Sequence, residues 1–234
     1  MKTPSGYRPE APGAHPPNTQ SAYASTHKRA PAHAPIRLAH TLSEITGPGT
    51  VWEGTRTGDI DITQCNGGAA LGERIIVSGR VLDEDGRAVA HTLVEIWQAN
   101  AAGRYDHPSD QHDAPLDPHF AGVGRLLTGA DGAYRLTTVK PGAYPWRNHY
   151  NAWRPQHIHF SLFGAGFATR LITQMYFPGD PLLTLDPIFN SVPDADARTR
   201  LIAAFDMNLA VPERALGYRF DIVLRGRDAT PAGI

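Results

Sequence analysis

The chain has 234 residues, with 22 Lys plus Arg against 23 Asp plus Glu, so its formal net charge is −1. That balance excludes bulk electrostatic attraction to nucleic acid or an anionic membrane, and no apolar run approaches the length of a membrane span. One cysteine, Cys65, excludes an intrachain disulfide and reads as a reduced, non-catalytic thiol; with no apolar leader in "MKTPSGYRPEAPGAHPPNTQ", a cytoplasmic protein is expected.

Residues 1–35 are rich in Pro, Ala, His and Ser and short of large apolar side chains. Such a segment cannot offset its own ordering entropy, so it is expected to be disordered or laid over another surface. His15, His27, His33 and His40 lack close metal-ligand spacing and are expected to be solvated. Residues 1–70 are taken as a Pro/His-rich arm and lead-in, and residues 71–234 as one β-rich domain.

Strand patterning starts near Glu73. "ERIIVSGRVLDEDGRAV" predicts a strand, an Asp85-Gly86 turn and a returning segment. "TLVEIWQA" alternates, and "GRLLTGADGAYRLTTV" predicts a second hairpin around Asp131-Gly132. "QHIHFSLF", "TRLITQMYF" and "GYRFDIVLRG" supply further strands. Only "DADARTRLIAAFDMNL" has helical periodicity, with Asp194 as cap and Leu201, Ile202 and Phe205 on one face. Strands joined by turns, with one or two short helices, indicate an all-β sandwich. The long connections 99–122 and 141–155 hold several aromatic and Arg residues and are expected to be ordered and functional.

"RPQHIHF" raises the question of chemistry. In a strand, His157 and His159 share a face, while Ile158 and Phe160 point to the core. Two imidazoles at this spacing can converge on one ion, with zinc as the default metal; the plain alternative is two polar residues on an exposed sheet face. Cupins also carry His-x-His on a strand, but follow it with a glutamate that "FSLFGAGF" lacks. The preceding loops offer Tyr105 and Tyr144 instead. Phenolate is a hard, anionic donor that favours a highly charged ion such as Fe(III).

The stretches "TLVEIWQANAAGRYDH", "APLDPHFAGVGR", "KPGAYPWRNHYNAWRPQHIHF" and "LITQMYFPGD" occur in order and resemble the intradiol ring-cleaving dioxygenases. The likeness runs from about Tyr23 to Gly226 and is best after Gly67. It implies a non-haem Fe(III) cofactor held by Tyr105, Tyr144, His157 and His159. It implies that Tyr144 is the phenolate displaced by substrate, and that Arg154 stabilises negative charge on the substrate ring. Gln174 matches a residue supporting the ligand histidines and that arginine; Trp146, Ile188 and Tyr23 match residues of the substrate pocket. The implied reaction is intradiol cleavage of a catecholic acid by dioxygen, protocatechuate (3,4-dihydroxybenzoate) before catechol or hydroxyquinol. Within the family, such chains assemble with an α subunit that lacks the iron ligands. No helical dimerisation segment, as in the catechol and hydroxyquinol branch, is visible in residues 1–70.

Each residue also has a plainer reading. Tyr105 and Tyr144 fit loop tyrosines packed on a sandwich, Arg154 a surface charge, Gln174 a polar strand residue. Trp97 and Trp153 read as core. His107, His112, His119 and His149 match no ligand position and are expected to be solvated or outside the metal's direct contacts. A different class of function remains: the hairpins also resemble transthyretin-like sandwich modules, which bind rather than catalyse, and a zinc or copper sandwich is a third reading. Neither calls for two loop tyrosines ahead of His-x-His.

Overall fold

The fold is described from a computed structural model, covering residues 10–28, 30–33, 36, 55, 57–146, 150, 153–163 and 170–233. His40, His149 and part of the 141–155 connection lie outside these residues.

Strands form where the alternating and β-branched runs predict them, and also earlier. Short strands β1 (Asp59–Asp61), β2 (Gln64–Cys65) and β3 (Gly68–Ala69) precede the long β4 (Arg74–Leu82). Then come β5 (Leu93–Trp97), β6 (Val123–Leu127), β7 (Ala133–Val139), β8 (Tyr144–Pro145), β9 (Trp153–Arg154), β10 (His157–Phe163) and β11 (Arg170–Tyr176). The chain closes with α1 (Ala195–Thr199), β12 (Ala204–Phe205), β13 (Leu216–Arg219) and β14 (Ile222–Val223). One sheet has the order β1-β7-β4-β13-β12, with β14 also on β4; the other has the order β11-β10-β5-β6.

The two sheets face each other across one core. Ile75, Val77, Val81 and Leu136 of the first meet Val94, Ile96, Ile158, Phe160 and Leu162 of the second. Tyr134 packs edge-on against Phe160, and Phe160 tilts against Phe220. This is an all-β sandwich with neither sheet closed into a barrel. Gly79 is required where the first sheet crowds: a side chain there would overlap the Phe220 carbonyl.

Two local expectations are corrected. The turn at Asp131-Gly132 forms, with Gly132 at φ +73°, but it carries the chain from β6 in one sheet to β7 in the other and makes no hairpin. Residue alternation is the same in both cases, so the partner sheet cannot be read from it. The predicted helix also stops early. Asp194 caps it, its side chain accepting from the Ala197 N–H at 2.7 Å, but helix ends at Thr199. Residues 201–203 then bond to Tyr176 across the edge of β11, and Phe205 is exposed on β12. Pairing with an existing strand has overridden helical spacing.

A second, smaller core joins Tyr176, Leu183, Phe189, Val192, Ala197 and Leu201 with Ala14 from the N-terminal segment. His15 is half-buried there, its Nδ1 accepting the Ala232 N–H at 3.0 Å, contrary to the solvated reading; His27 and His33 are exposed as expected. Among the described residues no helix is long and apolar enough to cross a membrane.

Candidate metal centre

Sheet register builds half of the site. Strand β10 carries His157 and His159; β11 sets Tyr176 opposite His157 and Gln174 opposite His159, and β5 sets Trp97 opposite His159. Directly opposed residues point to the same face, so five side chains gather on the outer side of this sheet. Ile158 and Phe160 are fully buried on the inner side and fix the strand. The Trp97 ring lies flat on His159, with centroids 4.7 Å apart and planes within 5°. Trp97 is therefore a wall of the site, and Trp153 is exposed against His112, so neither belongs to the core.

The β5–β6 and β7–β8 connections bring the other half. They touch backbone to backbone at two glycines. Gly103 has φ +80° and a Cβ there would overlap the Ala143 carbonyl; a Cβ on Gly142 would overlap the chain at Ala101 and Gly103. Asn100 ties the first connection, its Oδ1 accepting from the N–H groups of Ala102 and Arg104 at 2.9 Å. Asp110 then accepts the Tyr105 N–H at 2.7 Å and the His112 N–H at 2.8 Å. The result is an edge-to-face contact of Tyr105 and Tyr144, with ring centroids 5.3 Å apart.

Four side chains converge. Tyr144 Oη lies 3.3 Å from His157 Nε2, which lies 3.2 Å from His159 Nε2. Such separations suit neighbouring donors on one ion with bonds of about 2 Å. His157 Nδ1 is 2.7 Å from the Pro155 carbonyl, an acceptor, so Nδ1 holds the hydrogen and Nε2 presents its lone pair. Tyr105 Oη is buried and, among the described residues, meets no hydrogen-bond partner in ordinary geometry, although Tyr144 is near enough to perturb it. An orphaned buried hydroxyl costs about 1–3 kcal/mol, a cost that coordination to a cation removes.

Electrostatics agrees with this donor set. Burial, with the neighbouring Arg154 guanidinium, pushes His159 down to about 3 and His157 well below the ordinary imidazole range. Both rings are thus held neutral, the form that binds metals. Burial raises Tyr144 and, with help from Tyr144, raises Tyr105 well above the usual phenol range. A polyvalent cation between the two hydroxyls would reverse that preference. Among the described residues no three His, Cys, Asp or Glu gather at one point, so the donors that fit a metal here are imidazoles and phenols.

Arg154 stands behind them, only 2% exposed. Strand pairing of β8 with β9 sets it opposite Tyr144. Its Nη1 lies 3.4 Å from both Tyr144 Oη and His157 Nε2, and its Nη2 donates to Gln174 Oε1 at 2.6 Å. Trp146 lies over the guanidinium at 5.4 Å and takes Tyr23 edge-on at 4.8 Å. A cleft of about 910 Å³ opens over Tyr105, Tyr144, Trp146 and His159. Ile188 is buried in the 186–191 turn and is not among the residues lining that cleft.

The sequence reading missed Asp186, which pairs with Arg154, together with Tyr176, Asp110 and the stacking role of Trp97. Trp97 was within reach, since strand alternation puts it on the face of Glu95 and away from Ile96. Asp186 had no local signal.

A family model described as Dioxygenase matches residues 45–226. The protocatechuate 3,4-dioxygenase beta chain of Burkholderia cepacia is 56% identical over 233 residues, covering 99% of each chain. The protocatechuate 3,4-dioxygenase alpha chain of the same organism is 34% identical over 164 residues, 69% of this chain and 77% of that one. Among solved structures, the dioxygenase domain of a dioxygenase carbohydrate-binding fusion from Streptomyces sp. SirexAA-E superposes with a TM-score of 0.53 at 27% identity. That match covers 74% of this chain and 92% of the other.

Proposed function

The chain belongs to the intradiol ring-cleaving dioxygenase family, and from that premise we propose that it cleaves protocatechuate with dioxygen to 3-carboxy-cis,cis-muconate. It does so as the metal-bearing subunit of an assembly with an α chain. The observation that carries this reading is the convergence of two half-buried tyrosines and two neutral imidazoles beside a buried guanidinium. The family uses non-haem iron, and we assign Fe(III) to Tyr105, Tyr144, His157 and His159, because two phenolates favour the higher charge state. Bound there, ferric iron would supply a Lewis acid for the catechol substrate.

The rest is work for the chain's own residues. Tyr144 would be the ligand given up to substrate, and its phenolate oxygen would accept a proton from the incoming catechol. Arg154 offsets the negative charge gathering on the ring; its Nη1 contacts of 3.4 Å are long and leave those hydrogens available. Trp97 holds the His159 ring in plane, and Trp146 lines the cleft with Tyr23 packed behind it, Tyr23 itself not being among the cleft-lining residues. The cleft lining includes Asp106, Asp110 and Asp113 but, among the described residues, neither Lys nor Arg. No Lys or Arg among the described cleft residues meets the substrate carboxylate, and a cation from the α chain would complete that recognition. Residues 1–70 are assigned as the lead-in that contacts that chain and 71–234 as the catalytic domain, although β1 already pairs into the sandwich.

Purified iron-loaded protein should be red-brown from tyrosinate-to-iron charge transfer. Oxygen uptake on protocatechuate, with the α chain co-expressed, should far exceed uptake on catechol. A colourless iron-replete sample, or efficient turnover of catechol alone, would refute the assignment.

A further inference from the structure

Arg154 has two working edges, and only one of them faces the site. The Nε–Nη2 edge is gripped by Asp186: Nε donates to Oδ1 at 3.0 Å and Nη2 to Oδ2 at 3.1 Å. Nη2 is closed in further by Gln174 Oε1 at 2.6 Å and Tyr176 Oη at 3.1 Å. Tyr176 is bound into the same cluster, 3.0 Å from Asp186 Oδ2 and 2.9 Å from Gln174 Oε1. What remains is Nη1, whose nearest partners are Tyr144 Oη and His157 Nε2.

We propose that Asp186 is a positioning residue for ring cleavage: by holding the Nε–Nη2 edge it dedicates Nη1 of Arg154 to the bound ring. The proposal rests on the role given to Arg154 above and extends it to a residue 32 positions away that touches neither substrate nor metal ligands. A pair with side-chain exposures of 3% and 0% is a poor source of stability, because desolvating both charges consumes most of what their attraction returns. Its value lies in geometry. A planar guanidinium offers two separately usable edges, which a lysine ammonium does not.

Asp186 is itself fixed. It ends the 3-10 turn Leu183–Leu185, its N–H donating to the Leu183 carbonyl. Its own carbonyl accepts from Asn190 N at 3.0 Å and Asn190 Nδ2 at 2.8 Å. Its Oδ2 also accepts the Phe189 N–H at 3.2 Å. Phe189 packs edge-on against the Tyr176 ring, inside the second core. The anchor for Arg154 is therefore a rigid turn and not a mobile side chain.

The test is a double-mutant cycle on the full enzyme with its α chain, using Asp186→Asn and Arg154→Lys singly and together. Asp186→Asn in the otherwise native protein should lower kcat by about 10²-fold, the scale of a misplaced catalytic group. Iron per chain, the visible tyrosinate band and the anaerobic Kd for protocatechuate should stay near native values. In the Arg154→Lys background the same change should alter kcat by no more than about twofold, because two members of one interaction are not additive. An unchanged kcat in Asp186→Asn, with Arg154→Lys slow, would overturn the role of Asp186 alone. A native kcat in Arg154→Lys would overturn the reading of Arg154 and this inference with it. If Asp186→Asn does not fold, Tyr176→Phe decides: it should slow turnover several-fold in the native background and not in Arg154→Lys. An equal loss in both backgrounds, for either variant, would reject the proposal.

Discussion

Tyr144 and Arg154 are partners twice over: they oppose each other in the β8–β9 ribbon, and Nη1 of the arginine lies 3.4 Å from the tyrosine hydroxyl. A two-residue ribbon thus sets the distance between the ligand assigned to leave and the charge assigned to steady the ring. That coupling makes the two residues separable only by experiment.

Tyr105→Phe and Tyr144→Phe should differ. Tyr105 Oη has no hydrogen-bond partner among the described residues to lose in ordinary geometry, so its removal should leave the fold intact and weaken iron binding by at least the ~10-fold that changing a mere partner of a ligand costs. Tyr144→Phe should retain more iron but turn over roughly 10²-fold more slowly, since it removes a proton acceptor. Iron analysis beside stopped-flow kinetics separates the two.

Gly103→Ala should separate the tyrosine loops. The position combines φ +80° with close approach to Ala143, so the change costs about 1–3 kcal/mol. For a chain of this size that is a fall in Tm of roughly 3–10 °C. Calorimetry should show the fall, and the tyrosinate band should shift because the Tyr105–Tyr144 contact is disturbed.

Asp110→Ala should loosen the same loop from the other side. Its carboxylate holds the N–H groups of Tyr105 and His112. Loss of two charge-assisted bonds at a partly buried site should destabilise by about 1–3 kcal/mol and weaken iron retention, with hydrogen exchange rising across residues 104–113.

His15 should make the N-terminal contact sensitive to acid. Burial lowers its pKa, with Arg200 adding to burial and Glu10 opposing it. A histidine depressed in the folded state stabilises it fully above its ordinary value near 6.5, and that contribution is lost as pH falls below it. A proton on Nδ1 would also end the bond from Ala232. Hydrogen-exchange protection at residues 10–18 and 230–233, measured against the intrinsic rate at each pH, should therefore fall as pH drops below about 6.5. His15→Asn, which keeps an acceptor but does not titrate, should remove that dependence.

Much of this was legible in short stretches. Period-two alternation was enough to give His157 and His159 a shared face and to bury Ile158 and Phe160, because adjacent side chains in a strand must diverge. The two long connections, with their aromatic and Arg residues, were legible as loops with a purpose. The hairpin expected at Asp131-Gly132 failed because alternation says that a segment is a strand and says nothing about which sheet accepts it. The long helix failed because hydrogen bonds from residues 201–203 to Tyr176 outweighed helical spacing.

The sequence by itself determined which imidazoles and phenols are on offer and the strand that carries the two histidines, since both follow from residue type and local backbone period. Only the tertiary structure decided that Trp97 stacks on His159 and that Tyr105 meets Tyr144 through glycine contacts. It alone decided that Asp186 closes on Arg154 from 32 residues away. Those relationships depend on how separate segments return to the same place, and no local periodicity encodes where a distant turn will lie.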